Sequence, residues 1–230
     1  MLPAFIIGSG MRSNLINTDI SEFRSIENQA KDSVNERGSK FIGYLYPITS
    51  ELDIHSIISQ LKSKYPDATH HCYAYRLGHN PIIEFSSDDG EPAGTAGLPI
   101  LNSLRSDELI NTLGIVIRYY GGTNLGKAGL IKAYSGVIRN CIALADKVSL
   151  TPSIKINISY PYEMSRPIDA VLSRFNAQVL DSKYNEDILI SVSVPISKEE
   201  DCIRVLSEME WQKVTYSTDG HILVRSGKDK

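Results

Sequence analysis

The 230-residue chain is organised around the stretch Leu113-Gly114-Ile115-Val116-Ile117-Arg118-Tyr119-Tyr120-Gly121-Gly122-Thr123-Asn124-Leu125-Gly126-Lys127-Ala128-Gly129. Its apolar first part predicts a buried strand and its glycines predict a turn. Apolar residues at spacings of three and four from Leu130 to Ala145 then predict a long helix. A glycine turn before a helix presents free backbone N–H groups, and the helix dipole favours an anion there. The turn is therefore the first candidate for a binding site.

The spacing of this turn resembles the phosphate-binding loop of nucleotide hydrolases. Gly121, Gly126 and Lys127 stand in the register G-x-x-x-x-G-K. Ala128 occupies the position where a Ser or Thr hydroxyl would hold Mg²⁺, and no later apolar strand ends in the Asp that completes such a metal site. These differences argue against a nucleotide hydrolase. Two interpretations stay open: a phosphate cradle, or glycines that serve only a tight turn and close helix packing.

Composition and charge limit the classes of function. The hydrophobic content of 42% is typical of a globular protein. A formal net charge of −3 argues against a protein whose whole surface binds nucleic acid. The segment from Leu113 to Ala145 nevertheless has four basic residues, Arg118, Lys127, Lys132 and Arg139, and no acid. Any contact with nucleic acid must come from a local patch of this kind.

The cysteines and the hydropathy pattern indicate a compartment. Cys72, Cys141 and Cys202 are far apart and form no C-x-x-C pair, which favours a reducing, cytoplasmic location. No apolar run approaches the roughly 18 residues that a membrane span needs, so no membrane association is expected. Residues 1–20 lack the basic start of a signal peptide and are interpreted as an extension or leader outside the fold.

Two domains are predicted, with a boundary near residues 149–153, where the pattern resets. The first domain comprises residues 21–150, and strands are expected in it at 40–48, 68–77 and 81–85. A helix is expected to begin at Ser50-Glu51-Leu52-Asp53, with an apolar stripe formed by Leu52, Ile54, Ile57, Ile58 and Leu61. Residues 20–38 are polar, with weak helical character. In the second, residues 153–227, the order βαββαβ predicts a ferredoxin-like sandwich, so the fold class is α+β.

Two further clusters carry candidate chemistry. Asp88, Asp89 and Glu91 lie in a glycine-rich loop and are interpreted either as a general acid/base or cation site, or as a solvated or helix-capping loop. In a strand, adjacent side chains point to opposite faces, so His71 shares a face with Tyr73 and His70 shares the other with Cys72. A His70/Cys72 pair lacks two ligands for zinc, and no metal is predicted.

Three segments carry a family resemblance: Ala68-Thr69-His70-His71-Cys72-Tyr73-Ala74-Tyr75-Arg76, Ser87-Asp88-Asp89-Gly90-Glu91-Pro92-Ala93-Gly94-Thr95-Ala96-Gly97, and Arg118-Tyr119-Tyr120-Gly121-Gly122 with its continuation to Ala133-Tyr134. In this order they resemble the YigZ or IMPACT family in its two-domain bacterial form. The resemblance covers residues 41–142 and implies a first domain like domain 2 of ribosomal protein S5. It also implies a ferredoxin-like second domain. Asn124 stands where bacterial relatives usually have a lysine, so the charge is three positions away at Lys127.

The same resemblance implies a role linked to translation, because eukaryotic relatives regulate translation initiation and bacterial relatives have a proposed nucleic-acid or ribosome-linked role. The expected partner is RNA, the ribosome or a translation-regulatory protein, with no cofactor and no catalytic residue. The sequence does not specify an oligomeric state. The expected ligand-binding residues are Arg118, Gly121, Gly122, Gly126, Lys127, Lys132, Asp88, Asp89, Glu91, Thr95 and His71.

Three functional hypotheses remain open, of which the third is a regulator that binds only protein, as the resemblance to the eukaryotic relatives implies. In the first, a non-catalytic binding protein recognises its partner through a cleft lined by Arg118, Lys127 and Lys132. The acidic loop is expected to face the glycine turn, and if it packs beside Arg118, a buried or cleft salt bridge forms between them. In the second, an enzyme acts on a phosphorylated ligand held by residues 121–129, with Asp88 or Asp89 as base.

Overall fold

Two antiparallel sheets organise the residues that the computed structural model describes, 22–228, with side chains described to residue 226. The predicted extension at residues 1–20 lies outside this range. The elements are β1 (Phe23–Ile26), β2 (Ala30–Glu36), β3 (Ser39–Pro47), α1 (Glu51–Lys64), β4 (His70–Leu77), β5 (Ile83–Ser87), α2 (Gly97–Ser106), β6 (Thr112–Tyr119), α3 (Gly126–Leu144), β7 (Lys147–Tyr160), α4 (Ser165–Arg174), β8 (Gln178–Tyr184), β9 (Ile188–Pro195), α5 (Glu199–Ser207) and β10 (Thr215–Lys228).

The first sheet has the strand order β2-β3-β6-β4-β5, with helices on both faces. The central strand β6 is the predicted apolar strand, and it is buried on both sides because its run of apolar residues does not alternate with polar ones. Val116 packs with α2 and α3, whereas Ile115 and Ile117 pack with α1. Gly43 and Gly114 let the helices approach closely, since an added Cβ would lie 2.9 Å from Val137 and Ile100, respectively.

Helix α1 begins as the sequence predicts. Ser50 caps it, and the side chain of Asp53 accepts a hydrogen bond from the Ser50 N–H in return. The predicted apolar stripe is wrong at its first member, because Leu52 is 79% exposed. Ile54 and Leu61 are the residues that α1 buries. Leu52 precedes Ile54 by two residues, which places it on the opposite, solvent-facing side of the helix.

The weak helical character predicted for residues 20–38 is wrong. This segment forms β1 and β2, and β2 pairs along its whole length with β3. The hairpin turn consists of Arg37 and Gly38, both with positive φ, at 46° and 83°. Pairing with a strongly apolar neighbour therefore overrides the weak propensity of a polar segment.

The second sheet has the order β8-β9-β7-β10, and β1 pairs with the first part of β7. Helices α4 and α5 cover one face, where alternate residues of β7 and β9 form an apolar core with them. The connectivity is the predicted βαββαβ. The last strand begins at Thr215, and residues 210–212 before it form a short 3₁₀ turn that leaves Trp211 exposed.

Strand β7 runs through residues 149–153, where the sequence predicts a domain boundary. Because β1 pairs with β7, residues 23–26 belong to the second sheet although they precede the first. Both sheets nevertheless have separate apolar cores. In residues 22–228, no helix is long and apolar enough to span a bilayer.

Candidate functional site

The glycine turn and the acidic loop lie at the same end of the first sheet. Strand β6 ends at Tyr119, which pairs with Lys40 near the start of β3, and Arg118 pairs with His70 at the start of β4. Strand β5 returns to this end, where Ser87 pairs with Tyr73 and the acidic loop follows. The antiparallel order of the strands therefore brings together two loops that are about 30 residues apart in the sequence.

A buried salt bridge joins the acidic loop to the end of β6, directly before the glycine turn. Arg118 Nη1 donates to Glu91 Oε1 at 2.6 Å, and Tyr134 OH donates to the same oxygen at 2.7 Å. The Arg118 and Glu91 side chains are 6% and 3% exposed. Charge-assisted hydrogen bonds in such a site hold both partners in place. The salt bridge expected between the acidic loop and Arg118 is present, with Glu91 as the acid.

Arg118 does not line an open cleft with Lys127 and Lys132. Its Nη2 donates to Ser39 Oγ at 3.3 Å, and its guanidinium lies 5.2 Å from the Phe41 ring and 5.4 Å from the Tyr120 ring. Its charge is neutralised by Glu91 and shielded from solvent. The prediction that Arg118 lines the cleft is therefore wrong, because strand β6 directs the Arg118 side chain inward, beneath the glycine turn.

Asp88 caps helix α2 from outside the helix. Its carboxylate accepts hydrogen bonds from the backbone N–H groups of Gly94 (2.8 Å), Ala96 (3.0 Å) and Gly97 (2.8 Å). Partial burial favours a higher pKa for Asp88, but these three donors stabilise its charged form, and the net effect is a lowered pKa. A carboxylate held as an anion by backbone donors is a poor general base.

Asp89 and His70 connect the loop to strand β4. Asp89 has a positive φ of 41°, and its Oδ2 accepts from the His71 N–H at 2.6 Å. The Asp89 carbonyl lies 2.8 Å from His70 Nδ1. A carbonyl only accepts hydrogen bonds, so Nδ1 carries a proton. The other ring nitrogen of His70 lies 3.8 Å from Glu91 Oε1.

The side chains of His71 and Thr95 take no part in the contacts around Glu91 and Asp89. His71 is on the opposite face of β4, buried against the α1 side, and burial lowers the pKa of its imidazole. Its Nε2 is buried and has no hydrogen-bond partner within the described part of the chain. The Thr95 hydroxyl donates to the Pro92 carbonyl at 2.6 Å and is buried within its own loop. The geometry of Thr95 is that of a loop-stabilising residue.

Cys72 and Tyr134 were not among the residues expected at the site, although both lie in the signature segments. Cys72 Sγ donates to the Asp88 carbonyl at 3.0 Å and lies 3.4 Å from Tyr134 OH. Burial raises the pKa of the Cys72 thiol to about 12, so it is protonated at neutral pH. Among residues 22–228, no group of three or more His, Cys, Asp and Glu side chains is arranged to hold a metal ion.

Gly121 is required by a backbone contact. A Cβ at this position would lie 1.9 Å from the carbonyl carbon of Gly38 in the β2–β3 hairpin. The Gly121 N–H donates to Ser39 Oγ at 3.1 Å, so the hairpin and the turn are bonded as well as packed. Ser39, another residue that the sequence did not indicate, thus links Arg118 to the glycine turn.

The rest of the turn is open to solvent. Gly122 and Gly126 have positive φ values of 83° and 69°, and an added Cβ would meet no atom within 4 Å at either position. Helix α3 begins without a side-chain cap and with no acid in its first turn. Lys127 and Lys132 are exposed, and neither forms an ion pair among the described residues. The turn therefore combines a positive helix end with nearby cations.

Comparison with known proteins identifies the family. Residues 37–142 match the family model described as the Impact N-terminal domain. The chain is 32% identical over 163 residues to IMPACT family member YigZ of Escherichia coli (strain K12), an alignment that covers 70% of this chain and 79% of the relative. The chain belongs to the IMPACT family.

Two further comparisons define the extent of the similarity. Protein IMPACT homolog of Dictyostelium discoideum is 38% identical over 98 residues, which cover 41% of this chain and 28% of that protein. A crystal structure of a hypothetical protein aligns with a TM-score of 0.63 and 27% identity, over 86% of this chain and 97% of that one. The segment matched to the IMPACT domain model contains the buried residues Ser39, Cys72, Glu91, Arg118 and Tyr134 and the partly buried His70.

Proposed function

We propose that this IMPACT-family chain is a non-catalytic binding protein linked to translation, and that its first domain recognises RNA or the ribosome, or a translation-regulatory protein. The observation that carries the proposal is the division of charge at the site. The carboxylates of Asp88 and Glu91 in the acidic loop accept hydrogen bonds from groups of the protein itself, whereas the N-terminal end of α3, Lys127 and Lys132 face solvent. What is available to a ligand is therefore positive.

The form of this surface favours a phosphate-bearing partner. An uncapped helix N-terminus offers backbone N–H groups, and Lys127 and Lys132 add two charges near it. Helix α3 contains no acidic residue from Gly126 to Leu144, so nothing on the helix opposes an approaching anion. The exposed Tyr120 beside the turn, 46% accessible, adds an aromatic surface of the type on which bases stack.

The alternative, an enzyme acting on a phosphorylated ligand, has less support. Its proposed base was Asp88 or Asp89. Asp88 accepts from three backbone N–H groups, and Asp89 accepts from the His71 N–H while its carbonyl holds His70. Both roles are those of loop-organising residues. The binding interpretation uses the turn without requiring either carboxylate to leave its partners.

The finer description of the fold belongs to the same proposal. We propose that residues 21–150 and 153–227 are two domains, the first like domain 2 of ribosomal protein S5 and the second ferredoxin-like, in a cytoplasmic protein. The strand order β8-β9-β7-β10 and the βαββαβ connectivity support the second assignment. Fold kinship does not specify a ligand, so the function is argued from the turn.

Filter binding to single-stranded and double-stranded RNA over a salt series tests the proposal. Affinity that falls linearly with the logarithm of salt concentration is the expected result, because phosphate contacts release counterions. Ribosome co-sedimentation provides a second measurement. A native pull-down with and without nuclease distinguishes a protein partner, which stays bound after nuclease treatment. No binding at low salt, no co-sedimentation and no captured protein would together contradict the proposal.

A further inference from the structure

Strand β8 forms an open edge of the second sheet. Within the described residues, β8 pairs on one side with β9, and no strand pairs with its other side. An edge strand presents unpaired backbone N–H and C=O groups that can accept another strand. The Ser182 N–H at this edge is bonded to the carboxylate of its own neighbour, Asp181, at 2.9 Å. A carbonyl of an incoming strand can replace the Asp181 carboxylate as the acceptor of this N–H.

Large apolar side chains are exposed along the same edge. Val179 is 56% exposed, Leu180 is 44% exposed and Tyr184 is 67% exposed. Asp181 and Lys183 lie between these residues and are also exposed, and neither forms an ion pair in the described part of the chain. The β8 edge thus combines apolar residues, an acid and a base within seven residues.

The order of these residues makes the edge complementary to itself. When two copies of β8 run antiparallel about a two-fold axis at Ser182, each residue lies opposite the residue at the same distance on the other side of Ser182. Asp181 of one copy then faces Lys183 of the second copy, and Leu180 faces Tyr184. The symmetry repeats each pair, which gives two ionic and two apolar cross-strand contacts.

The same residues disfavour other pairings. A shift of one residue places Asp181 opposite Ser182 and Lys183 opposite Leu180, which removes the ionic pairs. A shift of two residues opposes either the two Asp181 side chains or the two Lys183 side chains, which are like charges. The register between Val179 and Asp181 against β9 is irregular, as at a β-bulge, and such bulges limit uncontrolled extension of an edge. Leu180 is the residue at this irregularity, so the regular part of the strand runs from Asp181 to Tyr184 and contains both members of the ionic pairs.

We propose that a second copy of this chain docks on the β8 edge, so that the sheets of two protomers join into one continuous antiparallel sheet centred on Ser182. The two-fold pairing of Asp181 with Lys183 carries the proposal, and the exposed side chains of Leu180 and Tyr184 add apolar surface beside it. It concerns a surface in the second sheet and does not depend on the function proposed for the glycine turn. A contact made by one strand edge is small, so the dimer dissociates on dilution.

A charge-reversal series tests this pairing by sedimentation velocity over about a hundredfold range of concentration. The full-length wild type is compared with D181K, with K183D and with the double variant D181K/K183D. Either single change opposes like charges at both symmetric positions, and we expect self-association to weaken about tenfold. The double variant restores opposite charges and is expected to dimerise like the wild type.

Mixing the two single variants gives the sharpest result. One chain then carries two bases at the edge and the other carries two acids, so the mixture is expected to form heterodimers at concentrations at which each variant alone is monomeric. The exposed Glu208, on the helix side of the same sheet, provides the control E208K, which makes the same charge change without affecting dimerisation. Far-ultraviolet circular dichroism establishes that each variant is folded.

Two results would overturn the proposal. One is a wild-type chain that stays monomeric over the whole concentration range. The other is a dimer that neither D181K nor K183D weakens, which would place the interface on another surface. Because the double variant and the mixture restore association rather than remove it, misfolding cannot imitate the expected pattern.

Discussion

Arg118 at the end of β6 donates to Glu91 in the loop before α2, with 2.6 Å between Nη1 and Oε1. Both side chains are almost fully buried, and Tyr134 from α3 donates to the same carboxylate oxygen. Strand β6 and helix α3, which flank the glycine turn, are thus fixed to one carboxylate of the loop before α2.

Removing the charge of Glu91 is expected to destabilise the protein strongly. E91Q leaves the Arg118 guanidinium buried without its counter-charge, and we expect a loss of about 3–5 kcal/mol in the free energy of unfolding. Urea denaturation measures this loss. In the double variant E91Q/R118M no buried charge is left unpaired, so its cost should be smaller than the sum of the two single changes. Additive costs would contradict the coupling, and D201N in an exposed ion pair is the control.

Two glycines of the same region are expected to respond in opposite ways to alanine. G121A drives a methyl group into the Gly38 backbone, at 1.9 Å, and should cost at least about 2 kcal/mol. G136A, within α3, meets no atom within 4 Å and should stabilise the protein by about 0.5–1 kcal/mol. The midpoint of thermal unfolding, monitored by circular dichroism, is expected to fall for G121A and to rise for G136A. Equal midpoints for the two variants would show that the hairpin contact is not a constraint.

The cap that Asp88 provides to α2 should depend on pH. Its pKa is lowered in the folded state, so its contribution to stability is present above the unfolded value of about 4 and is lost as the pH falls through the lower folded value. D88N should cost about 1–2 kcal/mol at neutral pH. The difference between wild type and D88N should narrow below about pH 4. The exposed Asp67 gives the control D67N, and a difference independent of pH would contradict the capping role.

The lysines beside the glycine turn should contribute to RNA affinity through charge alone. If the proposed function holds, K127A and K132A should each weaken binding and reduce the slope of affinity against salt by about one. K64A, at the end of α1 on the opposite face of the first sheet, is the matched control and should leave the slope unchanged. Equal effects of all three substitutions would indicate non-specific attraction rather than a site at the turn.

Several features of the fold could be read from the sequence because they depend on local patterns. The run from Leu113 to Ile117 has no polar residue, so it predicts a strand buried on both faces, as observed for β6. Ser50 and Asp53 have the spacing of a capping box and begin α1. Residues 20–38 lacked such a pattern. Their strands arise from pairing with β3 and β7, which no local signal in the segment encodes.

The candidate site was predictable only in part, because the direction of each side chain in the loop depends on tertiary packing. The sequence indicated a pair between Arg118 and an acid of the loop, because the signature segments placed both in one region. It could not show that Glu91 rather than Asp88 or Asp89 is the partner, since this depends on which carboxylate the loop directs inward. Ser39 was missed because a serine after a hairpin is usually exposed, and Tyr134 was missed because a tyrosine on an apolar helix face usually serves only the core.

The sequence by itself determined the strand, turn and helix around residues 113–142, the family, and the glycines that the turn requires. It determined these because hydrophobic periodicity and backbone restrictions act locally. The tertiary structure decided which charges face solvent. Only the antiparallel packing of β3, β4 and β6 buries Arg118 against Glu91 and leaves Lys127 outside, and the exposure of a charge depends on neighbours that are distant in the chain.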